Sequence, residues 1–496
     1  MHHRRNHEVR PDALRQRVRE FPRDELLRGI ARVAAEQTNG ENTPEDERDY
    51  KLKAVREGIL FQLAGICVTH ANNHRSKTVD DAVVEDLLNG LYNVWPPELD
   101  GESSEDGWQR ILSQIAYQQM PYQVSSSEQL KRSLCLFGDD PRFGEPVLED
   151  GRWETILGVP LEDFLRISLI MYVAAVSSPG GISRRTLQAE NVRPVFEPFG
   201  ADRSLQVVDQ WLARPVDDLA QIGRQMNIDP DDLWRFNPLY EWPIAILADG
   251  TYVTPSPMGL LQRLGPQGRY FVARDAADAD EDPKAFQAFT NALGTRFERY
   301  VGEQLRCISH ADIRPEVDFD SGQKSVDFFI ETPELLVLVE AKSAAPNIAT
   351  RSGIFPQHGD IQRNIQRACE QITNSADLVK QGHPDFPALR NRPIRGLVIT
   401  REQYFNLSMP FIASIPEPAS IPTTVVSSFQ LEATIPALSN DPNCGTSLLG
   451  ALASDPEVLK TSLNPLPLGR NRLLAEIGSQ WLKEHRLIPS NGSTER

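Results

Sequence analysis

The sequence predicts a mixed protein, with a mostly α-helical N-terminal region followed by an α/β domain whose helices flank a central mixed sheet. Apolar residues recur at helical spacing through the first 236 residues, and from Pro243 the period shortens to that of strands. Beyond Pro283, long helical patterns enclose short β-branched runs. The 496 residues are enough for several domains at roughly 100–200 residues each. The expected division is a helical regulatory or partner-binding region over 1–236, a β-hairpin region and acidic linker over 237–282, an α/β domain over 283–430 and a helical tail over 431–496.

In the first region, Val79, Val83, Leu87 and Leu91 share one helix face, with Val84 and Leu88 beside them. Gly107 to Gln119 repeats the pattern through Trp108, Ile111, Leu112 and Ile115. Leu161 to Val176 is apolar nearly all round, which predicts a central buried helix, stopped by Ser177-Ser178-Pro179-Gly180-Gly181. Asp229-Pro230-Asp231-Asp232 reads as a helix start. Two short apolar runs around Asp249-Gly250 predict a hairpin, and Arg269 to Arg274 a third strand. The acidic stretch Asp275 to Pro283 reads as a linker.

The α/β domain opens with a helix from Ala285 to Ile308, with Phe286, Phe289, Leu293, Phe297, Tyr300 and Val301 on its apolar side. Ile313 to Phe319 alternates as a strand, Ser321-Gly322 turns the chain, and Ser325 to Ile330 forms a second strand. Leu335 to Lys342 starts with an unbroken apolar run, as a central strand buried on both faces does. Ile361, Ile365, Ala368 and Ile372 mark an amphipathic helix, and Gly396 to Thr400 reads as the last strand. The tail from Phe405 is dotted with prolines and turns helical around Leu473 to Lys483.

The chemistry is concentrated at Asp327 and, after twelve intervening residues, Glu340-Ala341-Lys342. Side chains alternate along a strand, so Glu340 and Lys342 project to one side. Two carboxylates and an ammonium at the end of an apolar sheet are costly unless used. Carboxylates on adjacent strands suit a hard divalent cation such as Mg²⁺, and a neighbouring lysine can orient a water and offset charge developing on phosphorus.

This pattern, between helices in the order described, resembles the PD-(D/E)xK nuclease superfamily, the restriction-endonuclease-like fold, over about 285–400. The resemblance implies Asp327 and Glu340 as metal-binding acids, with Ala341, next after Glu340, contributing to the metal site, and Lys342 as the catalytic lysine. The family's first-helix glutamate, in the string Gly294-Thr295-Arg296-Phe297-Glu298-Arg299-Tyr300-Val301, points to Glu298; helical geometry by itself leaves Glu298 and Glu303 equivalent. Where the family carries a proline before the aspartate, this chain has Val326. Arg363 and Arg367, one helical turn apart, and Gln371 are the candidate nucleic-acid contacts, and each also reads as an ordinary solvated helix flank.

The chain carries a net charge of −17, which speaks against a nucleic-acid partner. Locally the balance differs. Residues 283–402 hold 15 basic and 15 acidic groups, and within them 343–401 hold 8 basic and 4 acidic, so positive charge gathers just past the candidate site.

The expected activity is therefore Mg²⁺-dependent phosphodiester hydrolysis, with Mn²⁺ as a substitute, on DNA in preference to RNA. An RNase or toxin and a non-catalytic DNA- or partner-binding scaffold are the alternatives. The family analogy suggests an endonuclease of bacterial phage defence or restriction, restrained or recruited through its helical region. Cutting both strands with one site per chain would favour a homodimer.

Five scattered cysteines without a CxxC pair argue against a disulfide framework or structural zinc and for a reducing cytoplasm. No stretch is long enough to span a membrane, and no apolar segment follows the basic N-terminus as in a secretory signal. His70 and His74 are spaced i, i+4 but lack the acid of a zinc-protease helix, and read as a polar helix end. No phosphate-binding loop of the GxxxxGK[ST] type is present.

Overall fold

The computed structural model describes residues 10–39, 47–93, 126–149, 151–197, 199–226, 237–279, 283–320, 322–345, 359–404, 418–452, 459–460, 462–464, 466 and 469–485. The expected helix at 107–119 and helix start at 229–232 lie outside them. The chain forms two compact units: residues 1–133 with 150–276, and 134–149 with 277–496. The fold is mixed α/β, and among the described residues no helix is long and apolar enough to cross a membrane.

The first unit is mainly helical, with a large apolar core among its described residues. Helices Arg23–Asn39, Glu47–His70 and Asp81–Tyr92 contribute Leu27, Ile30, Leu60, Leu63, Leu87 and Leu91 to it. Helix Asp81–Tyr92 starts where its cap allows, the Asp80 carboxylate accepting the Val83 N–H at 2.9 Å. The Asp249-Gly250 turn joins Ile244–Ile246 to Thr251–Val253 as an antiparallel pair, with Gly250 at a φ of 78°.

Three expectations fail here. Arg269 to Arg274 is not a strand but the middle of helix Pro266–Ala279, which also runs through most of the expected linker and moves the boundary to 276/277. Its short β-like run is overridden by a proline at the first helical position and the alanine-rich stretch Ala273 to Ala279 at its end. Helix Leu161–Ser177 buries Leu161, Phe164, Leu165, Ile167 and Met171, but Val173 is 54% exposed, so its C-terminal half is not central.

The second unit is built on a five-stranded sheet whose strands, in chain order, are β1 (Asp312–Pro315), β2 (Phe328–Glu331), β3 (Leu336–Lys342), β4 (Ile394–Thr400) and β5 (Thr423–Ser427). They lie side by side in the order β5-β4-β3-β2-β1, with β1, β2 and β3 antiparallel and β3, β4 and β5 parallel. Between β1 and β2, Asp318–Phe319 and Gln323–Lys324 form a separate short hairpin.

Helix α1 (Pro283–Leu305) and helix α2 (Gly359–Gln381) cover opposite faces of this sheet. Leu336 and Leu338 of β3 join Ile365, Ala368 and Ile372 of α2 in one core, whereas Phe328 of β2 meets α1 at Gly302. Helix α3 (Ser428–Ser439) lies on the α1 side, where Tyr300 donates to the buried Glu432 carboxylate at 2.5 Å. Helix α4 (Arg472–Glu484) closes the unit, Asn471 bonding Gln304 of α1 at 2.8 Å, so the tail is part of this unit.

The strand Gly396 to Thr400 is not the last. β5 pairs outside it, Gly396 facing Thr423, and a Cβ on Gly396 would stand 2.3 Å from the Thr423 hydroxyl. Its β-branched run, Thr-Thr-Val-Val, is a strand signal obscured by the prolines around it.

Candidate functional site

The sheet register brings the predicted residues together. β2 and β3 pair Phe328 with Val339, and one step further along the same register sets Asp327 opposite Glu340. Asp327 lies just before the first ladder residue, and its Oδ2 accepts the Ala341 N–H at 2.7 Å. Glu340 and Lys342 share a face, the lysine Nζ donating to Glu340 Oε1 at 2.5 Å and to Gln371 Oε1 of α2 at 2.8 Å.

Glu340 is 1% exposed, and its other oxygen, Oε2, is buried with no hydrogen-bond partner. Burial first, and then the charge of Asp327, hold its carboxyl above the usual range. Asp327 is likewise raised by burial, against the Ala341 N–H and Lys342, which favour its charged form.

Glu298 of α1 is half-buried and pushed up to about 7, by burial and then by the negative charges of Asp327 and Glu316. Glu303, its rival, is ion-paired with Arg306 at 2.5 Å. α1 is held over this end of the sheet by close packing, Gly294 lying beside Ser343 and Gly302 beside Phe328.

The chemistry of the donor set suits a hard cation. The oxygens on offer are the orphaned Glu340 Oε2, the Asp327 carboxylate and the Ala341 carbonyl. Ala341 N–H faces Asp327, while Lys342 C=O accepts Arg401 N–H on the opposite edge at 3.1 Å. A strand residue sends its N–H and C=O to the same edge, so the Ala341 carbonyl is on the Asp327 side. Among the described residues no three His, Cys, Asp or Glu side chains are grouped to hold a metal ion, so a cation here would rest on two carboxylates, a carbonyl and water.

Arg363 and Arg367 are exposed on α2. The basic surface is smaller than its composition suggests. Arg392 is buried against Glu331, and Arg401 is 2% exposed. Arg351 and His358 lie outside the described residues. Asp318 and Asp320 are exposed on the hairpin. In the first unit, helix Glu47–His70 ends at His70, which burial and then Arg15, Arg19 and Arg224 push down to about 4, while His74 is exposed in the bend beyond.

Sequence reasoning missed one residue beside the site and one that holds α1 in its unit. Ser375, 2% exposed on α2, accepts the Val326 N–H at 3.1 Å. Arg296, 1% exposed on α1, is surrounded by main-chain carbonyls. The signal for Arg296 is a charged residue on the apolar side of a helix; Ser375 carries no signal of its own. Comparison with family models, curated proteins and solved structures finds no match.

Proposed function

We propose that the second unit is a metal-dependent phosphodiesterase of the PD-(D/E)xK type, with a restriction-endonuclease-like fold, acting on DNA. The observation that carries this reading is the buried Glu340, bonded to Lys342 through one oxygen and left without a partner on the other, beside Asp327. Two close, buried carboxylates destabilise a fold in their charged form, and a bound cation is one way to offset that repulsion. Asp327, Glu340 and the Ala341 carbonyl would hold Mg²⁺, which when bound polarises a phosphoryl oxygen and acidifies a water.

The chain's own residues supply the rest. Lys342 is fixed between Glu340 and Gln371, so its ammonium costs little reorganisation in offsetting charge developing at phosphorus. Glu298, ionising near neutrality, would take a proton from the attacking water. Arg363 and Arg367 would carry backbone phosphates.

The test is cleavage of plasmid DNA and of matched RNA by the purified full-length protein with Mg²⁺, with Mn²⁺ and with EDTA. DNA is expected to be cut only with a divalent ion, and Asp327→Ala or Lys342→Ala should lower the rate by at least about 10²-fold. Cleavage that survives both substitutions, or survives EDTA, would sink the assignment. Faster cutting of RNA would transfer the same chemistry to an RNase.

A further inference from the structure

We infer that Ser375 is a positioning residue for Asp327, a reading that rests on the phosphodiesterase proposed above. The residue immediately before the aspartate, Val326, is fully buried and precedes the first ladder residue of β2, so its main-chain groups need other partners. Both partners are buried serine hydroxyls. Ser375 Oγ accepts the Val326 N–H at 3.1 Å, and Ser325 Oγ donates to the Val326 carbonyl at 2.8 Å. Ser325 also accepts the Val317 N–H at 2.8 Å, which ties the stretch before Asp327 to the chain leaving β1.

Ser375 stands on the sheet-facing side of α2 among Ile372, Ala376 and Val379, four residues after Gln371. Helical spacing puts Gln371 and Ser375 on the same face. One helix therefore grips both halves of the site: Gln371 holds the Lys342 ammonium, and Ser375 holds the main chain that carries the Asp327 carboxylate. The separation of carboxylate and ammonium is set by a rigid helix rather than by the short turn before β2. Without the hydroxyl, the Val326 N–H is an orphan in an apolar core, and the chain relieves it by moving. A displacement of order 1 Å at a reacting group is enough to cost about 10²-fold in rate.

The test uses the full-length protein and Ser375→Ala, with Mn²⁺ titrated calorimetrically as the cation probe, alongside kcat and KM on DNA and the thermal midpoint. Ser375→Ala should weaken Mn²⁺ binding about tenfold and lower kcat about tenfold or more, with KM for DNA unchanged. Adding Val326→Pro removes the N–H that needs a partner and should restore both, as should Ser375→Thr, which keeps the hydroxyl. A merely structural serine would lower the midpoint and leave Mn²⁺ affinity and kcat intact; that result overturns the inference. So does failure of both rescues. A wild type that neither binds Mn²⁺ nor cuts overturns the phosphodiesterase reading itself, and a wild type that does both beside an unaltered Ser375→Ala overturns the positioning role alone.

Discussion

Glu298 and Glu303 are equivalent on a helical wheel and different in the folded chain. Glu298 is held up to about 7 by burial and by the charge of Asp327, whereas Glu303 faces Arg306. An acid that titrates near neutrality changes state within the range in which activity is measured. Without the cation it is protonated below about 7 and charged above; Mg²⁺ offsets the Asp327 charge that helps to raise it, and only the charged form accepts a proton from water, so cleavage should rise with pH through a midpoint at or below about 7. Glu298→Gln is expected to slow cleavage by about 10²-fold and to flatten that rise. Glu303→Gln should leave rate and profile unchanged. Initial rates from about pH 6 to 8.5 at saturating Mg²⁺ check both; the assignment is lost if Glu303→Gln has the effect predicted for Glu298→Gln.

At the scale of elements, the grouping of Asp327, Glu340 and Lys342 was legible in the sequence because its signals are local. The period of two along Leu336–Lys342 fixes which side chains share a face, and the spacing from Asp327 fits two adjacent antiparallel strands. What was not legible depends on distant partners. β5 is a strand because β4 offers it an edge, and the same residues among prolines read as a tail. The segment 134–149 belongs to the second unit, where Phe137 and Phe143 meet Phe289 and Tyr300 of α1 and the carbonyls of the segment gather on Arg296. That guanidinium takes the carbonyls of Cys135, Gly138, Asp140, Gly144 and Glu145, two of them at 2.7 and 3.0 Å from Nη1, and no pattern within 134–149 announces it. Arg296→Met should orphan these carbonyls and destabilise the second unit by about 3 kcal/mol or more. For the same reason a fragment beginning at Pro283 should fail to fold, although the sequence places a domain start there. Urea unfolding of the variant and circular dichroism of the fragment are the measurements, and a stable, cooperatively folded fragment would refute the role given to Arg296.

Across the whole molecule, the two units differ in what stabilises them, and that difference can be read in one experiment. In the first unit His70 is neutral when folded, pushed down to about 4 by burial and by Arg15, Arg19 and Arg224. An unfolded histidine titrates near 6.5, so between about 4 and 6.5 the unfolded chain binds more protons. Stability is therefore complete above about pH 6.5 and falls as the pH drops toward 4, by roughly 2 kcal/mol once partial exposure is allowed for. In the second unit the stress is of opposite sign: two carboxylates, Asp327 and Glu340, are buried together, and the divalent cation proposed for them would stabilise the folded form by mass action. Hydrogen exchange followed peptide by peptide separates the two effects. Mg²⁺ at neutral pH should slow exchange in peptides of the five-stranded sheet and α2 and leave helices Arg23–Asn39 and Glu47–His70 unchanged. Acidification from about pH 7 to 5, with rates corrected for intrinsic exchange, should loosen those two helices, and His70→Gln should abolish that response. Equal protection of both units by Mg²⁺ would place the cation elsewhere than between Asp327 and Glu340, and an undiminished acid response in His70→Gln would remove His70 as its cause.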